Sequence, residues 1–295
     1  MSVTHADFVL TEKLGVNTGP AVIREALYAQ RSRFIATLRS FGPSEWAAPS
    51  RCSLWSVHDV VRHLADAAEF NIGRLTRGSL DRFTRYGPFD SRTTPAKWLA
   101  DTAGQEPQET LEILARRSDE EYAGFARRIE GNHQTLIPGV TGRPNHWSVR
   151  SLHTYWDAWL HERDIAIPFG VDTRSSDDEL RLMAAYALQL ATTFGGEHLR
   201  ASLSLRGGPD VAYHIDGDPD DISVAAGTSR PPDVVEGDLG AVLDSLAGRG
   251  PEPAAVLTGP ADIVEQLARQ RSLMLPQQGS PGPGQGAARL DPCKM

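Results

Sequence analysis

Across its first two thirds this chain repeats one pattern: a long run with apolar residues three and four apart, then a break rich in glycine and proline. That spacing puts the apolar side chains on one face of a helix, and the face must be buried against another. The first run follows Thr18-Gly19-Pro20, carries Val22, Ile23, Leu27, Phe34 and Leu38, and is expected to reach Phe41 before Gly42-Pro43. A second starts behind Trp55, where Ser56 and Asp59 suit an N-cap with an acidic first turn, and carries Val57, Val60, Val61, Leu64, Ala68 and Ile72. A shorter piece at 95–103 precedes a third run from about 108 to 129. A fourth runs from Ser148, its expected cap, to Ile165 and is stopped by Pro168 and Gly170; a fifth spans 176–193 and closes at Gly195-Gly196. Segments 79–92 and 131–147 read as loops, as does the stretch holding Trp46, Pro49 and Cys52. Long amphipathic helices joined by polar connections predict an N-terminal up-and-down four-helix bundle, here over residues 18–197.

The texture changes after Gly196. Short alternating runs at 201–205, 211–215 and 222–226, separated by Gly, Pro and Asp, suit strands. Residues 239–246 read as a helix, 254–257 as a strand and 261–268 as a last helix, which makes a small C-terminal α/β domain over residues 198–272. The fold class is therefore α+β. The end of the chain, GSPGPGQGAARLDPCKM, is low in complexity, and residues 276–295 are expected to be disordered.

Composition excludes several classes of partner. A formal net charge of −8, with basic residues scattered rather than striped, argues against nucleic acid and against an anionic membrane surface. No stretch reaches the roughly 18 apolar residues that would cross a bilayer. The opening MSVTHADFVLTEKLG lacks a basic start followed by an apolar run, so it does not read as a signal peptide, and a cytoplasmic location is expected. Two cysteines, Cys52 and Cys293, are too few for a disulfide framework; Cys52 reads as a small buried residue. Lys13, Lys97 and Lys294 are the only lysines, an arginine bias that suggests a GC-rich genome of the actinomycete kind. A bundle of this class admits a homodimer, although no exposed apolar stripe can be assigned to one.

Three histidines, His63, His153 and His161, fall within helical runs. Asp157 and His161 are four apart and share a helix face, with His153 one turn earlier. Two ligands at that spacing plus a histidine from a facing helix leave one open position on a metal, as a catalytic site needs. Spacing alone does not choose among candidates. An acid four residues before a histidine occurs at Asp59/His63, Asp157/His161 and Asp210/His214, and chance by itself gives about one such pair in a chain of this composition. There is no Gly-x-Ser-x-Gly elbow, phosphate-binding loop or dinucleotide fingerprint.

Context is more specific. The stretch SLWSVHDVVRHLADAAEF resembles the N-terminal signature of the mycothiol-dependent maleylpyruvate isomerase family, within the wider DinB-like bundle superfamily. WDAWLHERDIAIPFG resembles that family's second signature, a Glu-xxx-His followed by an aspartate, and DSLAGRGPEP places Arg249 at its C-terminal arginine. The likeness spans roughly residues 20–270. It implies a divalent metal, most plainly zinc, on His63, Asp157 and His161, with Asp164 as the following aspartate. It also implies mycothiol as thiol cosubstrate and a small-molecule substrate, with Arg249 facing an anionic group and Trp159 near the cosubstrate. Two departures stand out: Asp157 replaces the usual glutamate and reaches one methylene less far, and Trp156 stands where the family often has arginine.

In the namesake reaction mycothiol adds to a conjugated double bond, the bond rotates and the thiol leaves. With these departures, the resemblance implies a mycothiol-dependent S-transferase or isomerase acting on a small electrophilic metabolite. The alternatives are a thiol-independent metal hydrolase of the same fold and a non-catalytic binding protein with a degenerate site.

Overall fold

The computed structural model describes residues 20–52, 55–87, 93–131, 136–138, 144–173, 175–195, 198–209, 212–218, 221–227 and 234–274. The tail expected to be disordered, residues 276–295, lies outside them. The chain divides after Arg174 into two compact units.

The first unit contains α1 (Pro20–Leu38), α2 (Pro43–Ala47), α3 (Val57–Thr76), α4 (Asp81–Thr84), α5 (Thr94–Asp101), α6 (Pro107–Glu130), a hairpin of β1 (Leu136–Pro138) and β2 (Pro144–His146), and α7 (Trp147–Ala166). Four of these helices form the bundle: α1 and α3 each pack against both α6 and α7. Its interior is built from the apolar stripes, with Leu27, Phe34, Val60, Val61, Leu64, Leu114 and Phe125 all buried. Burying each such side chain contributes roughly 1.5–3 kcal/mol.

Polar contacts fix how the helices face one another. Glu162 of α7 is clasped by Arg33 of α1 through two hydrogen bonds of 2.9 and 2.7 Å, and Gln30 Nε2 donates to the same carboxylate at 3.0 Å. Arg128 of α6 donates to the carbonyls of Leu75 and Arg74, both at 2.8 Å, and so satisfies the C-terminal turn of α3. At the other end of α3, Ser56 Oγ accepts from Asp59 N at 3.1 Å while Asp59 Oδ2 accepts from Ser56 N at 3.0 Å, a complete capping box. The expected cap at Ser148 is not one: β2 runs straight into α7, so Trp147 is already helical and Ser148 lies inside the first turn. The expected loop at 79–92 contains α4, because Phe83 packs with Phe70 and Trp98 in a side cluster of aromatic rings.

The second unit begins with α8 (Asp177–Gly195), followed by β3 (Leu199–Arg206), β4 (Ala212–Asp218), β5 (Asp221–Gly227), β6 (Val234–Asp238), α9 (Leu239–Leu246), α10 (Pro253–Val256), β7 (Leu257–Thr258) and α11 (Ala261–Met274). The strands form one sheet in the order β5-β4-β3-β6-β7, antiparallel except for the parallel pair β3 and β6. Helix α8 packs on β4 and β5 and on α9 and α11, so it belongs with the sheet, whereas the sequence reading draws the boundary at 197. Strand β6 has no counterpart among the predicted strands. It is only five residues long, and Gly237 leaves room where a Cβ would sit 2.7 Å from Val242 Cγ2 and 2.9 Å from the Val256 carbonyl. The strand expected at 254–257 is mostly the short helix α10, opened by Pro253 at its first turn, with only Leu257 passing into β7.

Candidate metal centre

Helix α3 presents His63, and helix α7, which packs on it, presents Asp157 and His161 one turn apart. All three side chains are buried. The Asp157 carboxylate lies between the two imidazoles, with Oδ2 3.6 Å from His63 Nε2 and Oδ1 3.6 Å from His161 Nε2. One ligand atom from each of the three residues lies within 4.8 Å of the other two. Ligand atoms on a tetrahedral zinc, each about 2.0–2.1 Å from the ion, are roughly 3.4 Å apart. A direct hydrogen bond would be shorter than 3.2 Å or so. The spacing therefore suits ligands around an ion better than residues bonded to one another.

Hydrogen-bond accounting supports the same fit. Both ring nitrogens of His63 are buried without a hydrogen-bond partner. Leaving a buried polar atom unpaired costs about 1–3 kcal/mol, so such atoms normally have an occupant to bind. The shortened carboxylate is not an obstacle, since Asp157 reaches both histidines equally.

Orientation of His161 comes from Asp164, a fully buried carboxylate whose Oδ2 is 3.0 Å from His161 Nδ1. A hydrogen bond at Nδ1 leaves Nε2, the nitrogen facing Asp157, with its lone pair free for a metal. The Cys52 sulfur is 3.2 Å from the same Asp164 oxygen, and Cys52 is buried as expected. Trp55 covers the pair of imidazoles, its ring centroid 5.0 Å from that of His63 and 6.2 Å from that of His161. Burial pushes the Asp157 carboxyl up, but His161 and His63 outweigh it and hold the group well below the usual carboxylate range.

The other sequence candidates fall elsewhere. His153 is buried one turn before Asp157, stacks on Trp156 with centroids 6.0 Å apart, and belongs to neither of the metal-capable groups found among the described residues, His63 with Asp157 and His161, and Cys52 with His161 and Asp164. Trp159 is buried, with the Arg163 guanidinium 4.9 Å above its ring. Arg249 lies in the second unit just after α9, where its Nη1 donates to the Ala247 carbonyl at 2.8 Å. Of the two other acid-xxx-His pairs, Asp59 serves as cap and as partner of Arg62, while His214 sits across the sheet 2.9 Å from Ser202 Oγ. Asp210 lies outside the described residues.

Sequence reasoning passed over one buried group near this centre. Arg31 of α1 is 1% exposed and occupies a place on the apolar stripe four residues after Leu27 and three before Phe34. That position, charged where the pattern calls for an apolar residue, is the signal that could have found it.

Among the described residues no helix is long and apolar enough to cross a membrane. Residues 27–166 match the family described as the mycothiol maleylpyruvate isomerase N-terminal domain. No curated protein sequence matches the chain. Two crystal structures share its fold: the mycothiol-dependent maleylpyruvate isomerase, with a TM-score of 0.56, and a histidine-to-alanine mutant of such an isomerase, with a TM-score of 0.55. Each is 15% identical to this chain, and each alignment covers 81% of this chain and 92% of the other. The matched span contains α3 and α7 and so every residue of the His63, Asp157 and His161 group; over residues 27–166 the chain is similar to the mycothiol maleylpyruvate isomerase N-terminal domain family.

Proposed function

We propose that this protein is a metal-dependent and mycothiol-dependent enzyme, an S-transferase or isomerase acting on a small electrophilic metabolite. The observation that carries the reading is the buried group of His63, Asp157 and His161, with both nitrogens of His63 unsatisfied. Similarity to the mycothiol maleylpyruvate isomerase N-terminal domain supports the cosubstrate. In this reading the three residues hold a divalent ion, zinc by the character of the ligand set, and leave one position open. Such an ion supplies Lewis-acid charge that lowers the pKa of a thiol entering that position, so the thiolate, the reactive form, prevails at neutral pH.

The residues of the chain do the rest. Asp157 contributes the single negative charge among the ligands, so the site keeps a net positive charge for an incoming anion. Asp164 holds His161 in one tautomer and one ring orientation. Trp55 and the surrounding core exclude water, which strengthens electrostatic attraction inside the site. Arg249 and Trp159 are proposed to contact the cosubstrate or the substrate, Arg249 through the planar fork that suits a carboxylate.

Calorimetric titration of metal-loaded protein with mycothiol, with glutathione as the control thiol, tests the reading. Micromolar binding of mycothiol that disappears on chelation is expected, with no comparable heat from glutathione. A full complement of metal with no mycothiol binding would overturn the thiol-dependent part and leave water as the nucleophile to be activated.

A further inference from the structure

Arg31 has no role in the site described above, yet its surroundings are unusual. The residue lies within the bundle, and Nε, Nη1 and Nη2 are all buried without a hydrogen-bond partner. The carboxylates that act on it are Glu121 of α6 and, behind it, Asp157 of the metal group. Neither is within ion-pairing distance of the guanidinium among the described residues, and Glu121 Oε1 instead accepts a 2.7 Å hydrogen bond from Asn71 Nδ2. Arginine stays protonated in proteins, so this is a permanent cation with five unused donors.

The guanidinium lines a narrow cleft between α1 and α6, together with Tyr28, Ser118, Glu121 and Tyr122, with free space of about 10 Å³. Tyr28 and Tyr122 meet at the mouth, tilted to one another, with ring centroids 4.7 Å apart. Tyr28 is tied to Asp119 and Tyr122 to Glu25 by hydrogen bonds of 2.8 Å each, all between exposed groups. The mouth is therefore made of exposed side chains, and the floor is helix.

We propose that Arg31 is the floor of an anion site in the bundle interior that takes a planar carboxylate, either the substrate's own or that of a free small acid. Five donors in one plane match the two oxygens of a carboxylate, and Glu121 has its Oε1 engaged by Asn71. The charge of Asp157 acts on Arg31 and so ties the proposal to the metal-centre reading, but the anion site does not depend on that centre for its ligand atoms.

Formate is the probe, because it is the smallest carboxylate, and formamide is its neutral control. In zinc-loaded wild-type protein, formate is expected to shift the Arg31 Nε–H resonance in proton–nitrogen correlation spectra with millimolar affinity and to raise the melting temperature, while formamide does neither. Arg31→Gln is expected to lose at least tenfold in formate affinity and the thermal shift. No resonance shift in the wild-type protein up to about 100 mM formate, or equal affinity in Arg31→Gln, overturns the proposal. The wild-type spectrum makes the test independent of whether the variant folds. Repeating the titration on His63→Ala protein separates the two readings: formate binding there stands whether or not the metal centre does, and its loss would place formate on the metal and overturn the proposal. Formate that competes with maleylpyruvate in a mycothiol-dependent turnover assay assigns the carboxylate to the substrate; binding without competition assigns it to a free ion.

Discussion

His63 Nε2 and Asp157 Oδ2 face each other at 3.6 Å across the junction of α3 and α7, too far for a hydrogen bond and close to the separation of two ligands on one ion. The helices need not meet at this point for their packing alone. Residues of two different helices, 94 positions apart in the chain, converge there with His161 as the third member.

Removing His63 tests that convergence. His63→Ala is expected to lower metal affinity by at least about 100-fold and to bring bound zinc well below one equivalent, with the helical circular dichroism intact. Elemental analysis of the purified variant reads the result. Equimolar zinc in the variant would place the metal somewhere else.

In the proposed centre Asp164 acts through His161, whose Nδ1 lies 3.0 Å from its Oδ2. Asp164→Asn is expected to cost about 10–100-fold in zinc affinity, since the amide can still turn toward Nδ1 but no longer fixes which nitrogen carries the proton. Competition against a fluorescent chelator measures it. A variant with wild-type affinity would reduce Asp164 to a packing residue.

The lowered pKa of Asp157 has a signed consequence for the metal-free protein. A carboxyl whose folded pKa lies below its unfolded value of 3.8 adds stability that is in place above that value and is lost as the pH falls through the folded one. Wild-type protein is therefore expected to lose stability more steeply than Asp157→Asn as the pH is lowered below about 4, in urea melts at successive pH values. Parallel curves would show that the imidazoles do not stabilise this carboxylate.

Glu162 should matter to the fold and not to the centre. Glu162→Ala leaves Arg33 without its bidentate partner and is expected to cost about 2–3 kcal/mol, below the range for a fully buried pair because Arg33 is partly open to solvent. Urea denaturation reads the loss, and zinc content should remain at one equivalent. A drop in zinc would mean that the α1–α7 clasp also positions the ligands.

Much of the bundle was legible in the sequence. Four long apolar stripes with Gly and Pro at their ends predict four helices, because each stripe has to be buried and each break ends a run of backbone hydrogen bonds. Short elements were less legible. Helix α4 and strand β6 carry too few apolar residues to show a period, and both exist because a tertiary partner receives them: the ring cluster around Phe70 for one, strand β3 for the other. His63, Asp157 and His161 came from likeness to a family and not from spacing, which Asp59/His63 and Asp210/His214 share.

By itself, then, the sequence determined the two textures of the chain, the helical stripes and the candidate ligands, because periodicity and residue type are local properties. Tertiary structure decided that Asp59 is a cap and that Asp157 lies between His63 and His161. It also decided that α8 goes with the sheet and that Arg31 sits in the interior with nothing to bond. A carboxylate becomes a cap or a ligand according to what it faces, and what it faces is set only when helices distant in the chain pack together.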